Sequence, residues 1–249
     1  MIACGNTHKG MVRPTNQDNY TVELFEELDT ALLVVCDGMG GANAGNVASR
    51  FALDEFLIQM REGIRTDMEQ TDAEDLLRVA AQSANQAVFE LSIKQPEFRG
   101  MGTTLVCALV QGDHAEILNV GDSRAYRIHG DSIEQLTEDH SYVQEMVRKG
   151  KITKEESRYH PHKNLITRAV GVDAFVDSDL FRYTLEPDDV LLLCSDGLCG
   201  MVEDDQIARI VSNADSLEEA VDDLIGCACQ HGGVDNITVV LYRRGALAE

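Results

Sequence analysis

The stretch ALLVVCDG, residues 31–38, is a continuous apolar run that ends on a carboxylate, Asp37, followed by a glycine. The run VLLLCSDG, residues 190–197, repeats this layout and ends at Asp196. Two further aspartates flank apolar runs in a similar way: Asp122 and Asp235. A carboxylate at the mouth of a buried strand is costly unless something pairs with it. Several of them at one end of a core predict a shared counter-charge, and a pair of hard divalent cations is the simplest candidate.

Length and composition indicate the domain organisation. The chain has 249 residues, of which 44% are hydrophobic, and this is enough for one large domain. No linker, repeat or low-complexity tract divides it, so we expect a single domain over residues 1–249. The longest apolar run, residues 31–36, is too short to span a bilayer, and the first residues lack the apolar core of a signal peptide. We expect a cytoplasmic protein that is a monomer and has no membrane partner.

The charge distribution restricts the partners. The formal net charge is −22, from 43 acidic and 21 basic residues, so no basic field is available to collect nucleic-acid phosphates. Seven basic residues nevertheless fall within residues 148–168, against only two glutamates. This basic island indicates either contact with an anionic partner or a solvated helix and loop.

Short apolar runs bounded by Gly or Asp predict strands, and apolar residues at helical spacing predict helices. The predicted strands are residues 32–36, 104–111, 115–120, 124–129, 180–185, 190–194 and 237–242. The predicted helices are residues 47–60, 73–91 and 142–149, and a helix that begins at Ser216 with a capping-box pattern to Glu219. Tight turns at residues 111–114 and 129–132 indicate an antiparallel meander of the strands 104–111, 115–120 and 124–129. This order predicts an α+β fold in which helices cover antiparallel sheets.

The residue types around the aspartates indicate metal and phosphate chemistry. Mg²⁺ and Mn²⁺ favour carboxylate, carbonyl and water oxygens, and the glycines after Asp37 would let a main-chain carbonyl join the shell. Arg13 in RPTNQD, residues 13–18, is suited to bind two phosphate oxygens, and Asp18 could extend the metal shell. The alternative is that each aspartate caps a turn, which is the commoner structure for a single Asp-Gly. The patterns of a P-loop, a serine-hydrolase elbow and a zinc protease are absent from the sequence.

Eight motifs stand in order along nearly the whole chain. They are RxxNQD (13–18), VCDGMGG (35–41), MGTT (101–104), NVGDSR (119–124), LTxDHS (136–141), TRAVG (167–171), SDG (195–197) and DNIT (235–238). Together they resemble the metal-dependent serine/threonine protein phosphatases, the PPM or type 2C family, in its stand-alone bacterial form. The resemblance implies a four-layer α-β-β-α sandwich with two mainly antiparallel central sheets and a flap insertion at about residues 141–177.

The same resemblance implies a centre of two Mn²⁺ or Mg²⁺ ions. By motif position, Asp37 bridges both ions and the Gly38 carbonyl binds one of them. Asp196 and Asp235 bind the other ion, and Asp122 forms a weaker third site together with Asp196.

Two further residues complete the implied catalytic group. Asp18 lies beside the ions and holds water, and Arg13 binds the substrate phosphate. One departure concerns Met39, because many eukaryotic members have at this position a histidine proposed as the general acid. A water at the metals or a flap histidine, His160 or His162, are the remaining proton sources.

The implied activity is hydrolysis of phosphoserine and phosphothreonine in proteins by a metal-activated water, in opposition to a bacterial Ser/Thr kinase. Three alternatives stay open at this point. The chain could be a dedicated phosphatase of one regulatory partner, of the anti-sigma antagonist type, or a phosphatase of small molecules. It could also be a non-catalytic phosphoprotein-binding module, although the expected metal ligands are all present.

Overall fold

The computed structural model describes residues 1–41, 44–66 and 68–244. The strands of this part are β1 Ile2–His8, β2 Asp18–Phe25, β3 Thr30–Met39, β4 Gly102–Thr103, β5 Leu105–Gln111, β6 His114–Val120, β7 Arg124–His129, β8 Ser132–Gln135, β9 Asp179–Thr184, β10 Val190–Cys194 and β11 Ile237–Arg243. The α-helices are α1 Ala44–Gly63, α2 Gln70–Lys94, α3 Tyr142–Arg148, α4 Lys154–Tyr159, α5 Asp196–Cys199, α6 Asp204–Asn213 and α7 Leu217–Gln230. Short 3₁₀ turns occupy Glu26–Leu28 and Pro96–Phe98.

The strands form two sheets, and every strand pairing in them is antiparallel. The first sheet has the order β1-β11-β10-β7-β8. The second sheet has the order β2-β3-β5-β6-β9, with β4 paired to β3. The prediction of an α+β fold with antiparallel sheets is confirmed.

Strand β3 shows why the apolar runs are continuous rather than alternating. Leu33 and Val35 point into the layer between the two sheets, whereas Leu32 and Val34 point toward the helices α1 and α2. An antiparallel strand with one face in water would alternate apolar and polar residues, but here both faces are buried. The long apolar run is therefore the mark of a strand at the centre of four layers.

The outer layers are pairs of helices. Helices α1 and α2 pack on the β3 side of the sandwich. Helices α6 and α7 pack on the outer face of the first sheet, α6 against β7 and β8 and α7 against β1 and β11. The sequence of layers is thus helix, sheet, sheet, helix, as the family resemblance implied. Within the described residues, none of the helices combines the length and apolarity needed to cross a membrane.

The predicted meander is wrong in one connection. Strands β5 and β6 form the expected hairpin, but β6 and β7 belong to different sheets. The turn Gly121-Asp122-Ser123 therefore crosses from one sheet to the other. Gly121 has a φ of +111°, and a Cβ there would lie 2.6 Å from the Thr104 side chain, so only glycine fits this crossing.

Helix α7 begins at the predicted cap, although only half of the capping box forms. The Ser216 hydroxyl accepts a hydrogen bond from the Glu219 N–H at 3.1 Å. The Glu219 carboxylate, however, accepts from the N–H of Asp215 and not from that of Ser216. A complete capping box joins Thr153 and Glu156 at the start of α4, a helix that was not predicted.

The flap, residues 141–177, contains α3 and α4 and is held at its base. The Tyr142 N–H donates to the Leu165 carbonyl at 2.8 Å, and the Thr167 N–H donates to the His140 carbonyl at 2.7 Å. The buried His140 ring also contacts the Asp179 carboxylate at 3.1 Å. Both ends of the flap are therefore attached to the sandwich at neighbouring points.

The central layer generates a stability prediction. Replacement of the fully buried Leu33 by Ala should lower the free energy of unfolding by about 2–5 kcal/mol, because it removes apolar contacts to both sheets and leaves a cavity. Urea unfolding followed by circular dichroism measures this. Val79→Ala on the exposed face of α2 is the control and should change the value by less than about 0.5 kcal/mol. Equal losses in both variants would contradict the assignment of the central layer.

Candidate active site

A cleft of about 180 Å³ opens at one end of the sandwich, where strands of both sheets terminate. It brings together six of the seven residues to which the sequence analysis assigned a role at the site. These six are Arg13, Asp37, Gly38, Asp122, Asp196 and Asp235. The seventh, Asp18, is only 4% exposed and is paired with Asp37 in the β2–β3 register.

Asp18 and Asp37 stand directly opposite each other on neighbouring strands. Like charges in such cross-strand positions repel. The Asp18 Oδ2 accepts hydrogen bonds from the hydroxyls of Ser195 at 2.8 Å and Thr238 at 2.7 Å. Thr238 lies in β11 of the other sheet, and Ser195 directly follows β10 of that sheet. Its Oδ1 is buried and has no partner. Burial raises the pKa of Asp18 to about 7, although the two hydroxyls oppose this shift.

The backbone of Asp37 is fixed by the MGTT motif. The Asp37 N–H donates to the Thr104 hydroxyl at 2.9 Å, and its carbonyl accepts from the Thr104 N–H at 2.8 Å and the Thr103 hydroxyl at 2.9 Å. Burial and then the neighbouring carboxylates, Asp18 foremost, raise the pKa of Asp37 well above its ordinary value. The backbone of Asp37 is therefore fixed, and ionisation of its carboxyl group is unfavourable.

Gly38 occupies a position that excludes any side chain. A Cβ there would lie 2.1 Å from the Gly45 carbonyl oxygen and 2.6 Å from that of Gln17. The Gly38 N–H donates to the same Gln17 carbonyl at 3.2 Å. The start of α1 and the end of the N-terminal loop can approach the cleft only because this residue is glycine.

Asp196 is the first residue of the one-turn helix α5. Its Oδ1 is buried without a hydrogen-bond partner. Burial, together with the charge of Asp235, raises the pKa of Asp196 to about 6, and a hydrogen bond with Asp37 opposes the shift. The carboxyl groups of Asp37 and Asp196 therefore lie within hydrogen-bonding contact of each other.

Arg13 makes an ion pair with Asp235, with 2.6 Å between Nη2 and Oδ2. The loop that carries Arg13 is tied down by Asn236, whose side-chain amide donates to the carbonyls of Lys9 at 2.9 Å and Thr15 at 3.0 Å. The same side chain accepts the Gln17 N–H at 2.8 Å. Asn236 thus sets the position of Arg13 relative to the aspartates.

Asp122 lies on the turn that crosses between the sheets. It lines the cleft and also a larger cavity of about 370 Å³ beneath the flap. Burial raises its pKa well above the ordinary value, and Asp196 adds to the shift. This position, which borders both cavities, is compatible with the third ion site that the resemblance implied.

Two unpartnered oxygens test whether these residues fit divalent cations. Oδ1 of Asp18 and Oδ1 of Asp196 are buried carboxylate atoms without a hydrogen bond, and such atoms are costly. Oxygen-rich, negatively charged surroundings of this kind suit Mg²⁺ or Mn²⁺. Among the described residues, no three His, Cys, Asp or Glu side chains yet form a complete ligand set for one ion. One of the predicted ligands, Asp235, is paired with Arg13.

Met39 ends β3 at the edge of the cleft and has no group that could transfer a proton. The two flap histidines, His160 and His162, pack against each other with 5.6 Å between ring centroids, and both lie near the Tyr142 ring. Neither histidine is among the residues that line the cleft. The structure therefore brings neither of them to the aspartates.

Several supporting residues received no role in the sequence analysis. They are Thr103, Thr104, Ser195, Asn236 and Thr238, which bond to the backbone or side chains of the site. All five stand inside the quoted motifs, and two of them, Ser195 and Asn236, directly adjoin a predicted site residue. Short polar residues within these motifs were thus the available signal.

Comparison with known proteins identifies the family. A family model described as protein phosphatase 2C matches residues 4–235. The serine/threonine phosphatase stp of Listeria monocytogenes is 40% identical over 239 residues, which are 96% of this chain and 94% of that protein.

Solved structures agree with this match. The serine/threonine phosphatase Stp1 from Staphylococcus aureus is 40% identical with a TM-score of 0.90, covering 98% of this chain and 95% of that one. The catalytic domain of PstP, solved in complex with two manganese ions, is 31% identical with a TM-score of 0.82 and covers 96% of each chain. The chain belongs to the protein phosphatase 2C family. It is a serine/threonine protein phosphatase.

The buried Asp18 generates a prediction about pH. Its pKa is about 7 in the folded protein, against an ordinary value of 3.8, so between these two pH values the folded state binds a proton that the unfolded state has lost. The buried Asp18 therefore does not lower the free energy of unfolding below pH 4, but it lowers it increasingly as the pH rises toward 7. Asp18→Asn should stabilise the chelator-treated protein at pH 8 by roughly 1–4 kcal/mol relative to wild type, with little gain at pH 4.

Urea unfolding at several pH values in the presence of a chelator measures this difference. Asp54→Asn, at an exposed position on α1, is the control and should show no such pH dependence. A gain for Asp18→Asn that is the same at pH 4 and pH 8 would contradict the raised pKa.

Proposed function

We propose that this chain hydrolyses phosphoserine and phosphothreonine in proteins with two divalent cations, Mn²⁺ or Mg²⁺, held in the cleft. The observation that carries the proposal is the convergence of five buried or half-buried carboxylates and one guanidinium at one end of the sandwich. These residues are Asp18, Asp37, Asp122, Asp196, Asp235 and Arg13. No counter-charge other than Arg13 lines the cleft among the described residues, so cations are needed to make it suitable for an anionic substrate.

The proposed ligands are those that the family resemblance implies, and all of them line the cleft. Asp37 would bridge the two ions, with the Gly38 carbonyl on one and the pair Asp196 and Asp235 on the other. Asp122 would hold a third, weaker ion together with Asp196. Bound cations of this kind supply Lewis-acid stabilisation of phosphoryl oxygens and make water a better nucleophile near neutral pH. The manganese ions in the PstP structure support this part of the proposal.

Arg13 is proposed to bind the substrate phosphate. Its side chain is 48% exposed and lines the cleft, and only one of its N–H groups is engaged with Asp235. A guanidinium has five donors in a planar fork, so the remaining ones can hold two phosphate oxygens and orient phosphorus toward the aspartates. The charge that develops on these oxygens during attack is stabilised by the same contacts.

Asp18 is proposed to hold the attacking water. Its Oδ2 is fixed by two hydroxyls, which leaves Oδ1 as the only free acceptor of this side chain. A water hydrogen-bonded to Oδ1 is oriented by a carboxylate that itself cannot rotate. Because Met39 offers no acid and the flap histidines do not line the cleft, we propose that a solvent molecule protonates the leaving oxygen.

The proposal extends to the partners and the location. The substrates are phosphoproteins made by a cognate Ser/Thr kinase, and the protein acts as a cytoplasmic monomer. The net charge of −22 supports the absence of nucleic acid among the partners. The relatives are named as phosphatases, and nothing in the comparisons supports the non-catalytic module or the dedicated anti-sigma antagonist type.

The central ligand provides the first test. Asp37→Asn should abolish Mn²⁺-dependent hydrolysis of a phosphothreonine peptide, because a neutral amide cannot compensate two cations. Release of inorganic phosphate measures the loss, and Asp54→Asn at the exposed site on α1 should keep wild-type turnover. Near-normal turnover of Asp37→Asn would overturn the two-metal site. Comparison of the peptide with a free phosphate ester separates a protein phosphatase from a small-molecule enzyme.

Arg13 provides the second test. Arg13→Ala should lower kcat/KM for the phosphopeptide by about 10- to 100-fold, since a charge-assisted contact to the reacting phosphate is lost. Arg13→Lys should recover only part of this loss, because an ammonium cannot bind two oxygens in fork geometry. Arg50→Ala, an exposed arginine on α1, is the matched control. A wild-type kcat/KM for Arg13→Ala would remove Arg13 from the site.

A further inference from the structure

The flap helix α4 contacts the turn of the chain that carries Asp196, and it does so through Arg158. The Arg158 Nη2 donates to the carbonyls of Cys199 at 3.1 Å and Val202 at 3.4 Å. Its Nη1 lies 2.8 Å from the Glu203 carboxylate. One guanidinium therefore joins the flap to three residues at the end of α5 and just beyond it.

Helix α5 is a single turn that begins at Asp196 and ends at Cys199. The Gly200 N–H closes it by donating to the Asp196 carbonyl at 2.7 Å. The carbonyls at the end of such a turn have no partners within the helix, and a cation there is favourable. Arg158 thus caps the far end of the same short element whose first residue is a proposed metal ligand.

Few side chains of α4 contact the body of the protein. Apart from its attachment at the base, α4 reaches the body of the protein through Arg158 and through Lys154, whose Nζ lies 3.5 Å from the Asp204 carboxylate. The cavity of about 370 Å³ beneath the flap is lined by Arg158 and Lys154 on one side and by Asp122 and Asp196 on the other. Arg158 and Lys154 therefore hold α4 over a cavity that shares Asp122 and Asp196 with the proposed metal site.

These contacts also revise the interpretation of the basic island. Lys154, Arg158 and Arg168 are paired with carboxylates of this chain, at Asp204, Glu203 and Asp179. Part of the positive charge that suggested an external anionic partner therefore holds the flap to the sandwich.

We propose that Arg158 is a positioning residue that couples the flap to the metal site through the α5 turn. The coupling rests on the proposed metal role of Asp196. An ion at Asp196 orders α5, and an ordered α5 presents its terminal carbonyls to Arg158. By reciprocity, a flap that is held by Arg158 strengthens binding of the ion by the same factor.

The test uses the full chain and Mn²⁺ alone as the probe. Hydrogen exchange followed by mass spectrometry reports the mobility of residues 148–168 with and without Mn²⁺, and calorimetry gives the Kd for Mn²⁺. In the wild type, Mn²⁺ should slow exchange in this segment. Arg158→Ala should abolish that slowing and raise the Kd for Mn²⁺ by about threefold to tenfold, since the contact is partly exposed and screened.

Two variants serve as comparisons. Arg158→Lys keeps the charge near Glu203 but cannot reach both carbonyls, so it should give an intermediate Kd and a partial slowing. Arg209→Ala removes an exposed ion pair with Asp205 on α6 and should leave both measurements at wild-type values. Urea unfolding of each variant shows that it is folded.

Each outcome decides the proposal. A wild-type Kd and a wild-type Mn²⁺ effect on flap exchange in Arg158→Ala overturn it. A raised Kd with an unchanged Mn²⁺ effect on the flap also overturns it, because Arg158 would then support only α5. Failure of the proposed function looks different, because wild-type protein would then neither bind Mn²⁺ nor release phosphate from a phosphopeptide.

Discussion

Repulsion among the buried carboxylates at one end of the sandwich is the constraint on which the rest of the site depends. Asp18 and Asp37 face each other across one sheet, and Asp196 and Asp235 flank strands of the other. Water is largely excluded, so their charges are poorly screened and their pKa values, where a shift is resolved, rise. Arg13 offsets only part of this charge. The arrangement is stable enough to fold and yet strongly favours cations, which explains why a phosphate-handling site can be built from acids.

The two sheets contribute separate halves of the site, and polar side chains connect them. Asp18 in one sheet accepts hydrogen bonds from Ser195 and Thr238 beside the other. Asn236 attaches the loop that carries Arg13 to the strand end at Asp235. The distance between the sheets is set by the apolar central layer, so the geometry of the site is determined by the packing of the core.

The fold was predictable where burial dominates and unpredictable where it does not. Strands β7 and β10 match their predicted bounds, and both lie inside a sheet. Strands β1, β2 and β8 were missed, and each is an edge strand with mixed polarity, as edge strands commonly are. The crossing at Gly121-Asp122-Ser123 was not predicted, because a short connection between two predicted strands does not say which sheet the next strand joins.

The candidate site, too, could be predicted only in part from the sequence. The strand-end aspartates were visible because a carboxylate after a long apolar run is unusual. The role of Asn236 was not visible, because its bond to Thr15 joins residues 221 positions apart. Contacts of this kind depend on the folded topology, and no local pattern encodes them.

The ion pair between Arg13 and Asp235 has a consequence for the protein before it is loaded with metal. The guanidinium proposed to receive a phosphate already binds a carboxylate of the same chain through one nitrogen, at 2.6 Å, and the charge of this carboxylate repels an incoming anion. If Asp235 binds a cation, as proposed, its negative charge is neutralised and no longer repels a phosphate at Arg13. Under the proposed function, metal loading and the capture of a phosphorylated protein would therefore be linked through a single carboxylate.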